Sequence, residues 1–133
     1  MKPIFSYFNP NPDAKVDKKT GKPKKWNRCD CVIRAFCGAL NLPWDIVFMD
    51  MCKIALKLHD MPDSPKVIDK YAEDNNMIKL SLPAYTSVSG FAMTHNGIYI
   101  CNIRSHVVCI KDNQINDTWN CGNYKLKTYY VKK

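Results

Sequence analysis

The chain has 133 residues, 46% hydrophobic and 24% charged, and carries a net charge of +8, figures that suit one folded domain with a core of its own. No run of about 18 apolar residues occurs, so a membrane-spanning helix is not expected. The first eight residues, Met1 to Phe8, lack the sustained apolar core and small-residue cleavage site of a signal peptide, and the expectation is a cytoplasmic protein. The seven cysteines, at 29, 31, 37, 52, 101, 109 and 121, are odd in number. With no export signal, a disulfide framework is not expected. Several sit in apolar runs, and most of the seven read as reduced, small hydrophobes.

The charge is uneven. Residues 1–28 hold eight Lys/Arg against two Asp, and residues 124–133 hold four Lys and no acid. The body between them, 29–123, is slightly acidic, with eight basic against ten acidic residues. Residues 1–25 therefore read as a basic, Pro- and Lys-rich arm or loop, and 26–133 as the folded domain. Within the arm, Ile4 to Phe8 is an aromatic, strand-like piece, and residues 9–25 carry turn formers that predict an exposed, poorly ordered loop.

In chain order, Asp30 reads as the N-cap of a helix over about 31–40, with Val32, Ile33, Phe36 and Leu40 on one buried face and Asn41 closing it. Leu42-Pro43-Trp44-Asp45 opens a second helix to about His59, with proline in the first turn and an acid near its positive end. Its predicted core stripe is Ile46, Val47, Met51, Ile54, Ala55 and Leu58. Ser64-Pro65 starts a third helix to about Asn75, with Val67, Ile68, Tyr71 and Ala72 inward. Met77 to Leu82 alternates weakly, and Tyr85 to Met93 reads as a connection. Strands are expected at Gly97–Ile103, Ser105–Lys111, Gln114–Trp119 and Tyr124–Val131, the last with Leu126, Thr128 and Tyr130 alternating. Asp112-Asn113 suits a two-residue hairpin turn. Helices first and antiparallel strands afterwards predict an α+β fold, a helical layer on a sheet.

That turn sets a register. Lys111 faces Gln114, Ile110 faces Ile115, Val108 faces Asp117 and His106 faces Trp119, so His106, Val108, Ile110, Ile115, Asp117 and Trp119 share one face. His106 and Asp117 become diagonal neighbours, within reach of each other. The acid would fix the imidazole's tautomer and stabilise its charged form, and Trp119 would shield the pair from water. Cys31, in the first turn of a helix, has the positive dipole end in its favour as a thiolate. Its own N–H is a first oxyanion donor, and the Asn27 side chain is the candidate for a second. Cys29 is the rival nucleophile, but it precedes the helix and lacks the dipole's support.

The segments Asn27-Arg28-Cys29-Asp30-Cys31-Val32-Ile33-Arg34-Ala35, Ser105 to Asp112 and Asp117-Thr118-Trp119 resemble the papain-like cysteine peptidase superfamily. The likeness is to small single-domain members of the sort found in bacteria and their phages, and it covers roughly 26–131. The resemblance implies a papain-like fold, a nucleophile at Cys31, a general base at His106 and an orienting acid at Asp117. Papain has a glutamine six residues before its nucleophile, and this chain has Lys25 there. Asp30 and Trp119 are read as supporting residues.

The blander readings are a buried helix cysteine, a strand-entry histidine and an edge aspartate. Cys29, Cys31 and Cys37 follow a C-x-C-x5-C spacing that fits no zinc-ligand pattern, so no metal or other cofactor is expected. A redox pair at Cys29 and Cys31 lacks the two intervening residues of the common motif. The expectation is a thiol hydrolase, a cysteine peptidase or amidase that works through a thioester on a peptide or protein substrate. The alternative is a catalytically silent binding protein that uses its basic termini on nucleic acid or an acidic protein partner.

Overall fold

The computed structural model describes residues 4–133. The part of the leader reading that falls on residues 1–3 lies outside them. Ten elements follow in chain order: β1 (Phe5–Tyr7), α1 (Cys31–Leu40), α2 (Trp44–Leu58), α3 (Pro65–Asp74), β2 (Met77–Ser87), α4 (Val88–Thr94), β3 (Ile98–Ile103), β4 (His106–Lys111), β5 (Gln114–Asp117) and β6 (Lys125–Lys132). The fold is α+β, with four helices and a six-stranded sheet in the order β1-β5-β4-β3-β6-β2. All neighbouring strands are antiparallel except β1, which runs parallel to β5. The sheet's edge therefore takes a strand from the segment ahead of the basic loop, with Tyr7 opposite Asp117.

The helix starts follow local chemistry. Ser64 Oγ accepts from Val67 N at 3.4 Å with proline in the first turn of α3, and Ser87 Oγ accepts from Gly90 N at 3.0 Å at the start of α4. Asn41 and His59 close α1 and α2 in the left-handed conformation, at φ 55° and 53°. Asp30 departs from expectation. Its side chain makes no capping bond to α1, because the carboxylate is held elsewhere.

Two cores flank the sheet. On one face α1, α2 and α3 pack over Ile100, Cys109 and Tyr130, with Phe36 fully buried and edge-on to Tyr71 at 4.9 Å. On the other, α4 covers Cys101, Val108, Ile110, Ile115 and Leu126. Helix α1 lies close on β4, and Gly38 allows it: a Cβ there would stand 3.0 Å from Cys109 Sγ and 3.4 Å from the Phe8 ring. No single helix among the described residues is long and apolar enough to cross a membrane.

The expected core of α2 needs correction. Val47, Met51 and Ala55 are buried, but Ile46 and Leu58 are exposed. The helix is buried along one line, and its flanks, Ile46 and Leu58 included, are only partly covered. Residues 85–93 are not a plain connection: β2 runs on to Ser87 and α4 follows. Strand β2 is an outer strand, where Pro83 costs no ladder bond, and it is irregular between Ser81 and Thr86. Nor does β6 alternate strictly. A register shift opposite Asn102 and Ile103 leaves Lys127 unpaired, so Leu126 and Tyr130 enter opposite cores. The loop at 14–24 is exposed but ordered. Asp17 N donates to Lys22 O at 2.8 Å and Lys24 N to Lys15 O at 3.0 Å, around a turn at Gly21.

Truncating Phe36 empties the centre of the α1–α3 core. F36A is expected to lower the unfolding free energy by about 3–5 kcal/mol, read by urea denaturation.

Candidate active site

The β4–β5 hairpin turns at Asp112 and Asn113, with φ of 54° and 64°, the paired left-handed residues of a type I′ turn. Asn113 Nδ2 ties the turn to α4 through Ala92 O (3.0 Å) and His95 O (3.2 Å). The register follows: Lys111 opposes Gln114, Ile110 opposes Ile115 and Cys109 opposes Asn116. Val108, Ile110 and Ile115 enter one core, as the turn predicts. Beyond β5 the ladder ends, and the chain turns at Thr118-Trp119 rather than continuing as strand. At this open end the His106 ring meets the Asp117 carboxylate, Nε2 to Oδ2 at 2.5 Å. The Trp119 ring lies tilted on the imidazole with centroids 4.9 Å apart. Trp119 is still 39% exposed, so it shields His106 from one side only.

Helix α1 brings its N-terminus to the same place. The Cys31 thiol stands beside His106 and the Val107 backbone N–H, both of which favour its thiolate. Because Nε2 is engaged by Asp117, Nδ1 is the nitrogen left for the sulfur. Cys29, the rival nucleophile, is exposed on the preceding loop.

Arg34, one turn along α1, is buried and completes the network. Its Nε donates to Asp30 Oδ1 at 2.8 Å and its Nη1 to Asp117 Oδ1 at 2.8 Å, with Thr118 Oγ1 at 3.3 Å. Asp30 accepts three further bonds, from Trp26 Nε1 (3.0 Å), Asn11 Nδ2 (3.0 Å) and Trp44 Nε1 (3.1 Å). These donors are why its side chain is not available to cap α1. Asp117 also accepts from Thr118 N at 2.7 Å, and Cys121 Sγ lies 3.8 Å from its Oδ2.

The charges alternate along this line, and the titrations follow. Burial works against the Asp117 carboxylate, but His106, Thr118 N–H and Arg34 outweigh it and hold its pKa below the ordinary value. Burial also works against an imidazolium at His106, yet the hydrogen bonds to Asp117 and Cys31 raise it to about 9. Burial opposes the Cys31 thiolate too, and is overcome by the bonds from His106 and Val107 N–H and by the charges of His106 and Arg34. Its pKa therefore falls. The buried thiols move the other way: burial pushes Cys37, Cys109 and Cys121 up to about 12.

Other donor sets are less apt. His106, Asp117 and Cys121 bring possible ligand atoms within 4.8 Å of one another. The first two are satisfied by each other, and the third is held as a thiol, so the group reads as a hydrogen-bond network rather than a metal cage. Asn27 is exposed, and no hydrogen bond among the described residues joins it to Cys31. Among the described residues, the buried side-chain donor without a partner is instead Asn9 Nδ2, on the segment that runs from Asp117, whose carbonyl accepts from Phe8 N at 2.9 Å, to Asp30.

Sequence reasoning left Arg34 without a role. An arginine four residues after an aspartate, on an otherwise apolar helix face, was the available signal. Trp26, Trp44 and Asn11 had none, because their shared partner is set by the fold. Comparison with protein-family models, with curated proteins and with solved structures returns no match.

Replacing Arg34 by Met leaves two buried carboxylates facing each other without their shared cation. R34M is expected to lower stability by about 3–5 kcal/mol, and R34K to recover only part, since an ammonium cannot serve both acids in fixed geometry. Urea denaturation of the two variants beside the parent chain reads this.

Proposed function

We propose that the protein is a thiol hydrolase, a cysteine peptidase or related amide hydrolase, with Cys31 as nucleophile, His106 as general base and acid, and Asp117 as orienting acid. One observation carries the reading. A single cysteine stands at a helix start beside a histidine whose Nε2 meets a buried, arginine-anchored carboxylate, and this cysteine's pKa is lowered where the buried thiols' are raised. The order of these groups along the chain, and their placement on a helix start and a hairpin, support the likeness to papain-like peptidases.

The chemistry follows from the geometry. The Cys31 thiolate attacks an amide carbonyl carbon, forming a C–S bond while the carbonyl oxygen takes the negative charge. The Cys31 backbone N–H, at the first turn of α1 where a helix has no internal acceptor for it, is the donor assigned to that oxygen. As the C–N bond breaks, the proton on His106 Nδ1 passes to the leaving amine. Water then attacks the thioester, giving its proton to the now neutral imidazole, and the acid departs with the thiolate restored. Asp117 stays ionised throughout and holds Nε2. Arg34 does not touch the reacting atoms; it is a positioning residue that keeps Asp117 ionised and aimed.

The active form is thiolate with imidazolium. Turnover should rise as Cys31 ionises below the usual thiol range, and fall as His106 loses its proton at about 9. Iodoacetamide at about pH 6, where ordinary thiols are almost wholly protonated, should label Cys31 ahead of every other cysteine. C31A should remove that label, and H106A should shift its onset to alkaline pH. If Cys29 or Cys52 reacts as fast as Cys31 under these conditions, the assignment fails. On any peptide substrate found, H106A is expected to lower kcat/KM by about 10²- to 10⁴-fold.

A further inference from the structure

Beside the site lies a cavity of about 530 Å³, with Tyr7, Trp26, Trp119, Lys22, Lys24 and Lys25 among its lining residues. The sequence reading placed these lysines in a basic arm or loop, which its alternative function gave to nucleic acid or an acidic protein partner. The structure ties them to the chemistry from both sides. Trp119 rests on His106, and the adjoining Thr118 bonds Arg34. Opposite, Trp26 donates to Asp30, which holds Arg34. Tyr7 lies against Asp117 in the β1–β5 register.

The cavity's charge has no internal answer. None of the three lysines has a carboxylate partner among the described residues. The acids of the same loop are occupied: Asp13 pairs with Arg28 at 2.6 Å, and Asp17 accepts from the amides of Lys19 (2.8 Å) and Thr20 (3.4 Å). The body of the chain is slightly acidic, so a folded domain has drawn its basic loop to the edge of a thiol site and left three cations there unpaired. A larger cavity of about 650 Å³, with Arg104, Lys125 and Lys127 among its lining residues, reaches the site through Ile103, the ladder partner of His106, and Tyr124, edge-on to Trp119, but contains none of the residues whose side chains bond Asp30, Arg34 or Asp117.

We propose that the Trp26–Trp119 cleft is the substrate-recognition subsite, and that it takes an acidic peptide segment: carboxylate side chains on Lys22, Lys24 and Lys25, with the backbone and apolar carbons against the rings. The volume fits a short stretch of side chains rather than a whole folded domain. The cleft gives the Cys31 chemistry its substrate class and rests on that reading, but binding can be measured without turnover.

The experiment uses the full chain carrying C31A and three fluorescein-labelled octapeptides that differ only in charge: Glu-rich, Gln-rich and Lys-rich. A ten-nucleotide oligouridylate is the fourth probe. Anisotropy titrations should show the Glu-rich peptide binding roughly tenfold tighter than the Gln-rich one, with the preference fading as salt is raised. K22Q/K24Q/K25Q should abolish the preference, and K125Q/K127Q, in the other cavity, should leave it. K22E/K24E/K25E should reverse it in favour of the Lys-rich peptide, a result that loss of folding cannot mimic. The proposal is overturned if no charge preference is seen, if K125Q/K127Q costs as much as the triple change, or if the oligouridylate outcompetes the Glu-rich peptide. Binding as described with an unreactive Cys31 in the parent chain would keep the cleft and sink the hydrolase instead.

Discussion

Everything near the site depends on one guanidinium. Arg34 is buried between Asp30 and Asp117 and bonds to both at 2.8 Å. Two carboxylates taken out of water this close to each other would repel and protonate; one fixed cation between them removes the conflict. With Asp117 ionised, His106 is held charged, and with His106 charged, Cys31 loses its proton more readily. The polarity of the site is thus propagated from the first turn of α1 through the sheet end and back to the residue where α1 begins. A planar fork suits this task because its donors leave in fixed, different directions.

The surrounding fold explains why that arrangement holds. A type I′ turn anchored to α4 sets the β4–β5 register, and the ladder's end leaves His106 and Asp117 at the rim rather than inside a core. Gly38 lets α1 settle close on β4, so the helix start reaches that rim. The segment after β1 runs past Asp117 to Asp30 and supplies Asn11, closing the network from a third direction. Trp26 and Trp44 donate to the same carboxylate from two further points of the chain. Asp30 thereby joins the approach to α1, the start of α2 and the N-terminal segment in one buried polar cluster. Such a cluster, with every partner satisfied, favours a single arrangement over its alternatives.

Much of the fold was legible from short-range chemistry. Helix starts at Ser64-Pro65 and near Cys31, the Asn41 stop, and the Asp112-Asn113 turn are local events, decided by a few neighbouring residues. The diagonal meeting of His106 and Asp117 could be read because a two-residue turn leaves only one register. Where the reading failed, distant contacts were in charge. Ile46 and Leu58 are apolar but remain half-exposed. Leu126 and Tyr130 part company at a bulge set by the pairing with β3. Asp30 sits where a cap belongs and is occupied by donors from 4 to 19 residues away in sequence.

By itself the sequence determined the α+β class, the first three helices, the hairpin's register, and the presence of a cysteine at a helix start with a histidine and an acid to follow. Those follow from periodicity and turn chemistry, which act over a few residues. Only the tertiary structure decided that Arg34 holds the acid, that Asp30 anchors the arginine, that Asn27 stays outside, and that the lysine loop folds against the site. Each of these rests on side chains far apart in sequence meeting in a low-dielectric interior, where an unpaired charge is too costly to leave and the whole fold selects the partner.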